Sequence, residues 1–240
     1  MRGIGGADYL HRRAAEELLE RLDLVTRSFA TAALIGAAGH DLASSLRARG
    51  TAVLAVDHGF EAAAGGVQAD EDRLPLGDGS VDLVLALGTL DTVNDLPGAL
   101  LLIRRALSPG GLFLAALSGA GSLPRLRAAM AAADEADGRG AAPRIHPQVD
   151  VRSLGDLLLR AGFAQPVVDG DGIDIRFASL AALVADLRAA GAGNVLAARS
   201  RVPIGRRGRA AATASFAAAA GPDGRTAERA ELLYLTAWRP

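Results

Sequence analysis

The stretch "TAALIGAAGHDLASSLRARGTAVLAVD", residues 31–57, decides the fold. Its first apolar run, TAALIG, leads into a glycine-containing segment, and the segment after it has the spacing of a helix that Asp41 begins and Gly50 ends. A second apolar run, TAVLAVD, ends on Asp57. The order strand, glycine loop, helix, strand and acid is typical of a βαβ nucleotide-binding half.

The rest of the chain continues this alternation of strands and helices. An amphipathic helix with Asp8 as its N-cap is predicted before the first strand. The apolar run from Val81 to Leu87 is typical of a central parallel strand. Asp95 and Asp150 are predicted to cap two later helices. The remaining strands are predicted in "GVQAD", "LFLAALS", "AQPVVDGDGIDIRF", which holds short strands, and the terminal "ELLYLTAWRP".

We expect one domain over 1–240, with a Rossmann-like α/β fold. Its parts are an N-terminal helix at about 8–24, a cofactor-binding half at about 31–118 and a C-terminal half at about 119–240. The interval 191–229 holds the basic run "RSRVPIGRRGR" and an alanine tract, and it is interpreted as an inserted helical or mobile segment.

Composition excludes several classes of function. The net charge is -1, so no overall positive field attracts nucleic acid. All 26 basic residues are Arg, and the chain has no Cys, which excludes Schiff-base lysines, thiol nucleophiles and disulfides. Four scattered histidines lack ligand spacing, so no metal site is expected. No long apolar span occurs, and we expect a cytoplasmic protein without a transmembrane segment.

Two acids follow strands of the predicted nucleotide-binding half. Asp57 is placed to accept both ribose hydroxyls, and its alternative role is that of a helix cap. Asp70 could accept the adenine amine or be an exposed turn acid. Gly36 and Gly39 permit close approach of the backbone to a ligand. Because the motifs of dinucleotide dehydrogenases and of NTPases are both absent, a nucleoside cofactor without phosphates, S-adenosylmethionine, remains.

A second group of polar residues follows the fourth predicted strand. Asp91, Asn94 and Asp95 lie at the carboxyl edge, where α/β proteins bind ligands, and could hold a guanidinium substrate. For Asp95 we prefer the role of a helix cap, and Asp91 could also be a solvated turn acid. The run from Arg199 to Arg209 could dock an acidic partner or be a solvated surface.

Longer segments resemble a known family. The segment "ADEDRLPLGDGSVDLVLALGTL" is similar to class I S-adenosylmethionine-dependent methyltransferases. The segments "VNDLPGALLLIRRALSPGGLFLAAL", "PRIHPQVDVRSLGDLLLRAGFAQPVVD" and "SLAALVADLRAAGAGN" resemble the mitochondrial complex I assembly factor 5 group and its bacterial relatives. The resemblance implies a seven-stranded, mainly parallel sheet with helices on both faces. It also implies S-adenosylmethionine as cofactor and a complex I subunit or another protein as partner.

The chain departs from the family in two places. Leu34 stands where the family loop carries an acid, and Ala38 and His40 stand at two of its glycines. Loss of the acid removes a charge-assisted hydrogen bond to the cofactor's ammonium group. Asp91 and Thr92 replace a His-Trp pair that would line the substrate mouth.

The resemblance implies either modification of a protein arginine, as hydroxylation or methylation, or assistance in assembling complex I. A small-molecule or acyl-carrier methyltransferase and a non-enzymatic scaffold are the alternatives. No catalytic residue is assigned. The candidate cofactor-binding residues are Gly36, Ala38, Gly39, Asp57, His58, Asp70, Glu71 and Leu87, and the candidate substrate-binding residues are Asp91, Thr92 and Asn94.

Overall fold

A seven-stranded sheet forms the centre of the computed structural model, which describes residues 8–36, 42–60, 63, 65–138 and 140–240. The strands are β1 Thr31–Ile35, β2 Ala52–Asp57, β3 Val67–Gln68, β4 Val81–Leu87, β5 Leu107–Ser118, β6 Ala164–Phe177 and β7 Thr226–Trp238. They lie in the order β3-β2-β1-β4-β5-β7-β6, and only β7 runs antiparallel to its neighbours. The predicted α/β fold with a mainly parallel seven-stranded sheet is confirmed.

Seven α-helices are described around the sheet. They are α1 Tyr9–Asp23, α2 Leu42–Ala48, α3 Leu96–Ala106, α4 Pro124–Asp137, α5 Val151–Arg160, α6 Leu180–Ala189 and α7 Arg206–Ala217. One apolar cluster packs α1 and α2 against one face of the sheet, and a second packs α3 and α5 against the other. Helices therefore cover both faces, as expected for buried parallel strands. Among the described residues, no helix is both long and apolar enough to cross a membrane.

A third apolar cluster lies apart from the central sheet. Leu126, Leu183 and Phe216 join α4, α6 and α7 with the end of β6 at Phe177. Within the interval 191–229, which the sequence shows only as poorly patterned, the structure places α7 and the start of β7. These helices bury their own apolar surface and form a separate layer beside the carboxyl end of β5.

The structure corrects several expected boundaries. β6 is one strand of 14 residues rather than several short ones, because it pairs with β7 over nearly its whole length. β7 begins at Thr226 instead of at Glu231. Asp8 precedes α1, but its carboxylate pairs with Arg12 and makes no side-chain cap bond. Asp150 caps α5 as predicted, since it accepts a hydrogen bond from Ser153 N at 2.8 Å.

The start of α4 is capped from another element. Its N-cap, Leu123, has a left-handed backbone and offers no side-chain acceptor. Glu228 of β7, 1% exposed, supplies the acceptors instead, because its carboxylate receives hydrogen bonds from Arg125 N at 3.1 Å and Leu126 N at 2.7 Å. A buried carboxylate is tolerated where such donors satisfy it. This contact ties the outer helical layer to the sheet.

We expect Glu228→Ala to lower the free energy of unfolding by about 2 kcal/mol, because the buried N–H of Leu126 and the partly buried N–H of Arg125 lose their charged acceptor. Urea unfolding followed by circular dichroism measures the change. The exposed Glu20→Ala on α1 is the matched control and should stay close to the parent protein. Equal losses in the two variants would contradict the capping role of Glu228.

Candidate functional site

The carboxyl ends of β1 and β4 meet at Gly36. Gly36 has φ +71°, and a Cβ on it would lie 1.7 Å from the Thr89 methyl carbon and 3.0 Å from the Leu87 carbonyl oxygen. Only glycine fits at such a close approach with this backbone conformation. The strands thus bring the first predicted glycine against the residues that follow β4. Ala38 and Gly39 lie outside the described residues.

Three predicted cofactor residues come together beside β2. Asp57 ends the strand at 7% exposure, and its Oδ1 accepts a hydrogen bond from Gly59 N at 2.7 Å. The His58 Nδ1 atom lies 3.7 Å from Asp57 Oδ1 and 3.8 Å from Glu71 Oε1. Glu71 is buried in a short 3₁₀ turn, and its Oε1 has no hydrogen-bond partner. A buried acceptor left open in this way is placed for a hydroxyl or amine of a ligand.

Asp70 and Leu87, two further predicted cofactor residues, differ in the exposure of their side chains. Asp70 is exposed directly before the 3₁₀ turn, and its side chain makes no cap bond, so its carboxylate can still reach a ligand. The Leu87 side chain is 2% exposed in the cluster beneath α1 and α2. Leu87 can therefore contribute only main-chain atoms to the site, near Gly36.

A second part of the site lies beyond β4 on the side of β5. The Thr89 hydroxyl and Asp91 Oδ1 are buried without a hydrogen-bond partner. Desolvation raises the pKa of Asp91, while the backbone N–H of Ser118 and the charges of His11 and His146 oppose that rise. Burial also lowers the pKa of His11. A carboxyl group that is desolvated and has an oxygen atom without a hydrogen-bond partner is a typical candidate for a functional site.

The remaining polar residues after β4 have local roles. Asp95 accepts a hydrogen bond from Gly98 N at 2.9 Å and caps α3, as preferred from the sequence. Thr92 is exposed, and its hydroxyl donates to the Thr89 carbonyl at 3.1 Å. Asn94 is exposed as well. Of the three predicted substrate residues, Asp91 is the one whose side chain has a buried, open oxygen atom, and the roles of all three stay predictions.

Sequence reasoning missed three residues that contribute to this second part. His11 comes from α1, and its Nε2 lies 2.7 Å from where a Cβ on Gly88 would be. His146 comes from the segment between α4 and α5. Thr89 could have been proposed from the sequence, because it directly follows β4 and Gly88. The two histidines could not, because their approach to Asp91 depends on tertiary structure.

Leu34, which stands where the family loop carries an acid, lies in the apolar core. Leu34 is 3% exposed and belongs to the apolar cluster that contains Leu18, Leu42 and Leu87. An ionised acid at this position would lose its hydration among these side chains. The polar groups of the site therefore lie after β2 and β4, and not on β1. Within the described ranges, no group of three His, Asp or Glu side chains is placed to hold a metal ion.

Comparison with known proteins identifies similar chains. Residues 34–115 match the family model described as a methyltransferase domain. The chain is 31% identical to the arginine-hydroxylase NDUFAF5 of Danio rerio over 97% of this chain and 76% of that protein. It is 36% identical to the malonyl-[acyl-carrier protein] O-methyltransferase of Xylella fastidiosa over 72% of this chain. The chain spans only 57% of that second relative's length.

Solved structures agree on the fold. A putative methyltransferase of Bacillus halodurans superposes with a TM-score of 0.63 at 14% identity, covering 94% of this chain and 99% of that one. The YcgJ protein of Bacillus subtilis superposes with a TM-score of 0.64 at 12% identity, covering 93% and 98%. At such identities the likeness concerns the fold alone.

We expect Asp91→Asn to stabilise the protein at high pH and not at low pH. Since burial raises the pKa of Asp91, ionising this carboxyl costs folding free energy as the pH rises from its ordinary value through the raised one. The neutral amide removes that cost. Urea unfolding at about pH 4 and about pH 8 measures the difference.

The control for this prediction is Asp156→Asn, which changes an exposed carboxylate on α5 in the same way. Its effect should be small at both pH values. A stability difference for Asp91→Asn that does not change with pH would show that its carboxylate is not desolvated.

Proposed function

The chain belongs to the class I S-adenosylmethionine-dependent methyltransferase superfamily, close to its NDUFAF5 group, and we propose that it modifies an arginine side chain of a partner protein. The observation that carries this proposal is the similarity to the Danio rerio arginine-hydroxylase, which extends over 97% of the chain. The aligned region therefore includes the layer of α4, α6 and α7. A respiratory complex I subunit in the cytoplasmic compartment is the partner we favour.

The described residues suit S-adenosylmethionine, the cofactor of this superfamily, which supplies a methyl group on a sulfonium centre. We propose that Asp57 and Glu71 accept hydrogen bonds from the ribose hydroxyls, since both carboxylates are buried and Glu71 Oε1 is open. Asp70 would accept the adenine amine. Gly36 and the Thr89 hydroxyl would face the amino-acid end, where Leu34 offers no charge.

We propose that the acceptor occupies the part of the cleft around Asp91. A guanidinium group would complete the hydrogen bonds of the buried carboxylate and offset its charge. An acceptor nitrogen that gains a methyl group also loses a proton, and in this proposal Asp91 takes it. His11 and His146 act electrostatically on the same carboxyl group. Hydroxylation, the alternative outcome on the same arginine, would add an oxygen atom and need an oxidant as co-reactant.

Methylation of a malonyl group on an acyl-carrier protein is the second candidate, favoured by the 36% identity to the Xylella fastidiosa enzyme. Its acceptor is a carboxylate. Arginine N–H groups can donate to the open Oδ1 atom of Asp91, whereas a malonyl carboxylate has no hydrogen to donate to it. This hydrogen-bonding pattern therefore favours the arginine. A scaffold without catalysis is the third candidate.

Mass spectrometry of two acceptors distinguishes these functions. The purified protein is incubated in air-saturated buffer that contains a reductant, with S-adenosylmethionine and either an arginine-containing peptide library or a malonyl-acyl-carrier protein. A gain of one methyl group on arginine is expected, and formation of S-adenosylhomocysteine should accompany it. A gain of one oxygen atom would select hydroxylation, methylated malonyl would select the second candidate, and binding without turnover would select the scaffold.

We expect Asp57→Asn to weaken binding of S-adenosylmethionine about tenfold to a hundredfold, because a buried charged acceptor of the ribose is lost. Methylthioadenosine, which lacks the amino-acid end, should lose affinity by the same factor. Calorimetric titration of both ligands measures the change. The control, Asp78→Asn, alters an exposed acid paired with Arg105 and should leave both affinities unchanged. Unchanged affinity of Asp57→Asn would remove Asp57 from the site.

A further inference from the structure

Five exposed arginines lie in the first turn of α7 and in the segment that precedes it. We call this group the arginine rim, and its members are Arg199, Arg201, Arg206, Arg207 and Arg209. All five side chains are exposed, and none has an ion pair with a described acidic residue. We propose that the arginine rim docks an acidic helical surface of a partner protein.

The position of these charges on the helix supports an anionic partner. Arg206, Arg207 and Arg209 occupy the first turn of α7, which contains no acidic residue. Positive side chains at a helix N-terminus oppose the helix dipole. The Asp137 carboxylate of α4 is the anion present there, and it already accepts hydrogen bonds from Gly205 N at 2.7 Å and Gly208 N at 2.9 Å. Acidic side chains of a partner would relieve the remaining repulsion.

The shape of the surface suits a helix. The exposed face of α7 forms a nearly flat strip made of Arg206, Arg209, Ala210, Thr213, Ala214 and Ala217. Side chains this small let another backbone approach closely, while the two arginines remain at one end to pair with acids. Val195 and Val202, in the segment before α7, are 61% and 55% exposed, so apolar side chains are available for contact in the same segment as Arg199 and Arg201. Arginine next to apolar side chains is typical of protein interfaces.

Other anionic partners fit less well. The segment 190–211 contains no aromatic residue, so it offers no side chain on which nucleic-acid bases could stack. A helix that lies on a membrane surface buries large apolar side chains such as Trp, Phe or Leu. The exposed face of α7 presents alanines and a threonine instead. The chemistry therefore favours a protein over nucleic acid or lipid.

The segment that leads to the arginine rim contacts the segment between α4 and α5. Val195 N donates to the His146 imidazole at 3.1 Å, and the Asn194 side chain donates to the Pro143 carbonyl at 2.9 Å. His146 in turn interacts electrostatically with Asp91. These contacts connect the chain before the rim to the segment that carries His146. This inference goes beyond the proposed function and does not depend on the cofactor or on turnover.

The test measures binding of a fluorescent, alanine-based helical peptide that carries glutamates along one face. We expect binding that weakens as salt rises, and a loss of about tenfold or more in Arg206→Glu/Arg209→Glu. The control double variant, Arg152→Glu/Arg160→Glu, makes the same charge change at exposed positions of α5 and should bind within about twofold of the parent protein. Circular dichroism and S-adenosylmethionine titration check that both variants remain folded.

Three results would overturn the proposal. One is no measurable binding of the peptide to the parent protein at low salt. Another is an equal loss of binding in the two double variants, which would reflect overall charge and not this surface. The third is that vesicles of anionic phospholipid or a DNA duplex bind the parent protein more tightly than the peptide and depend on the same arginines.

Discussion

The contact between Gly36 and Thr89 is the constraint on which the site depends. It joins the end of β1 to the end of β4. The positive φ of Gly36 and its lack of a Cβ atom make this close contact possible. Because β1, β2 and β4 run parallel, their carboxyl ends meet at one edge, and the side chains that follow each strand converge there. Asp57 ends one of these strands and Thr89 and Asp91 follow another, so this arrangement brings them to the same edge, although no local motif joins them.

The parallel half of the fold could be predicted from the sequence because its signals are local. Apolar runs, turns and capping acids such as Asp95 and Asp150 each act within a few residues. β6 and β7 were harder, since β6 consists of partly buried and exposed positions up to its last residue, contains two glycines and becomes one strand only by pairing with β7. The cap that Glu228 gives α4 spans 103 residues of sequence, so no local pattern could show it.

The same distinction applies to the candidate site. Asp57 and Asp70 could be proposed because they directly follow strands of a recognisable βαβ unit. The partners of Asp91 could not, since His11 lies in α1 and His146 lies before α5. The open oxygens of Glu71, Thr89 and Asp91 likewise appear only when burial and hydrogen bonding are known. Sequence thus indicates where a cleft forms, and packing determines which of its polar groups stay available to a ligand.

The layer of α4, α6 and α7 has an apolar cluster of its own, separate from those on the two faces of the sheet. Its connection to the sheet includes the apolar side chain of Phe177 at the end of β6 and polar contacts such as the carboxylate of Glu228. The outer face of α7 and the candidate cofactor residues after β2 and β4 belong to different elements, so we expect substitutions in one to act independently of those in the other. We therefore expect that partner recognition through exposed arginines and cofactor binding through buried carboxylates at the strand ends can vary separately in this fold.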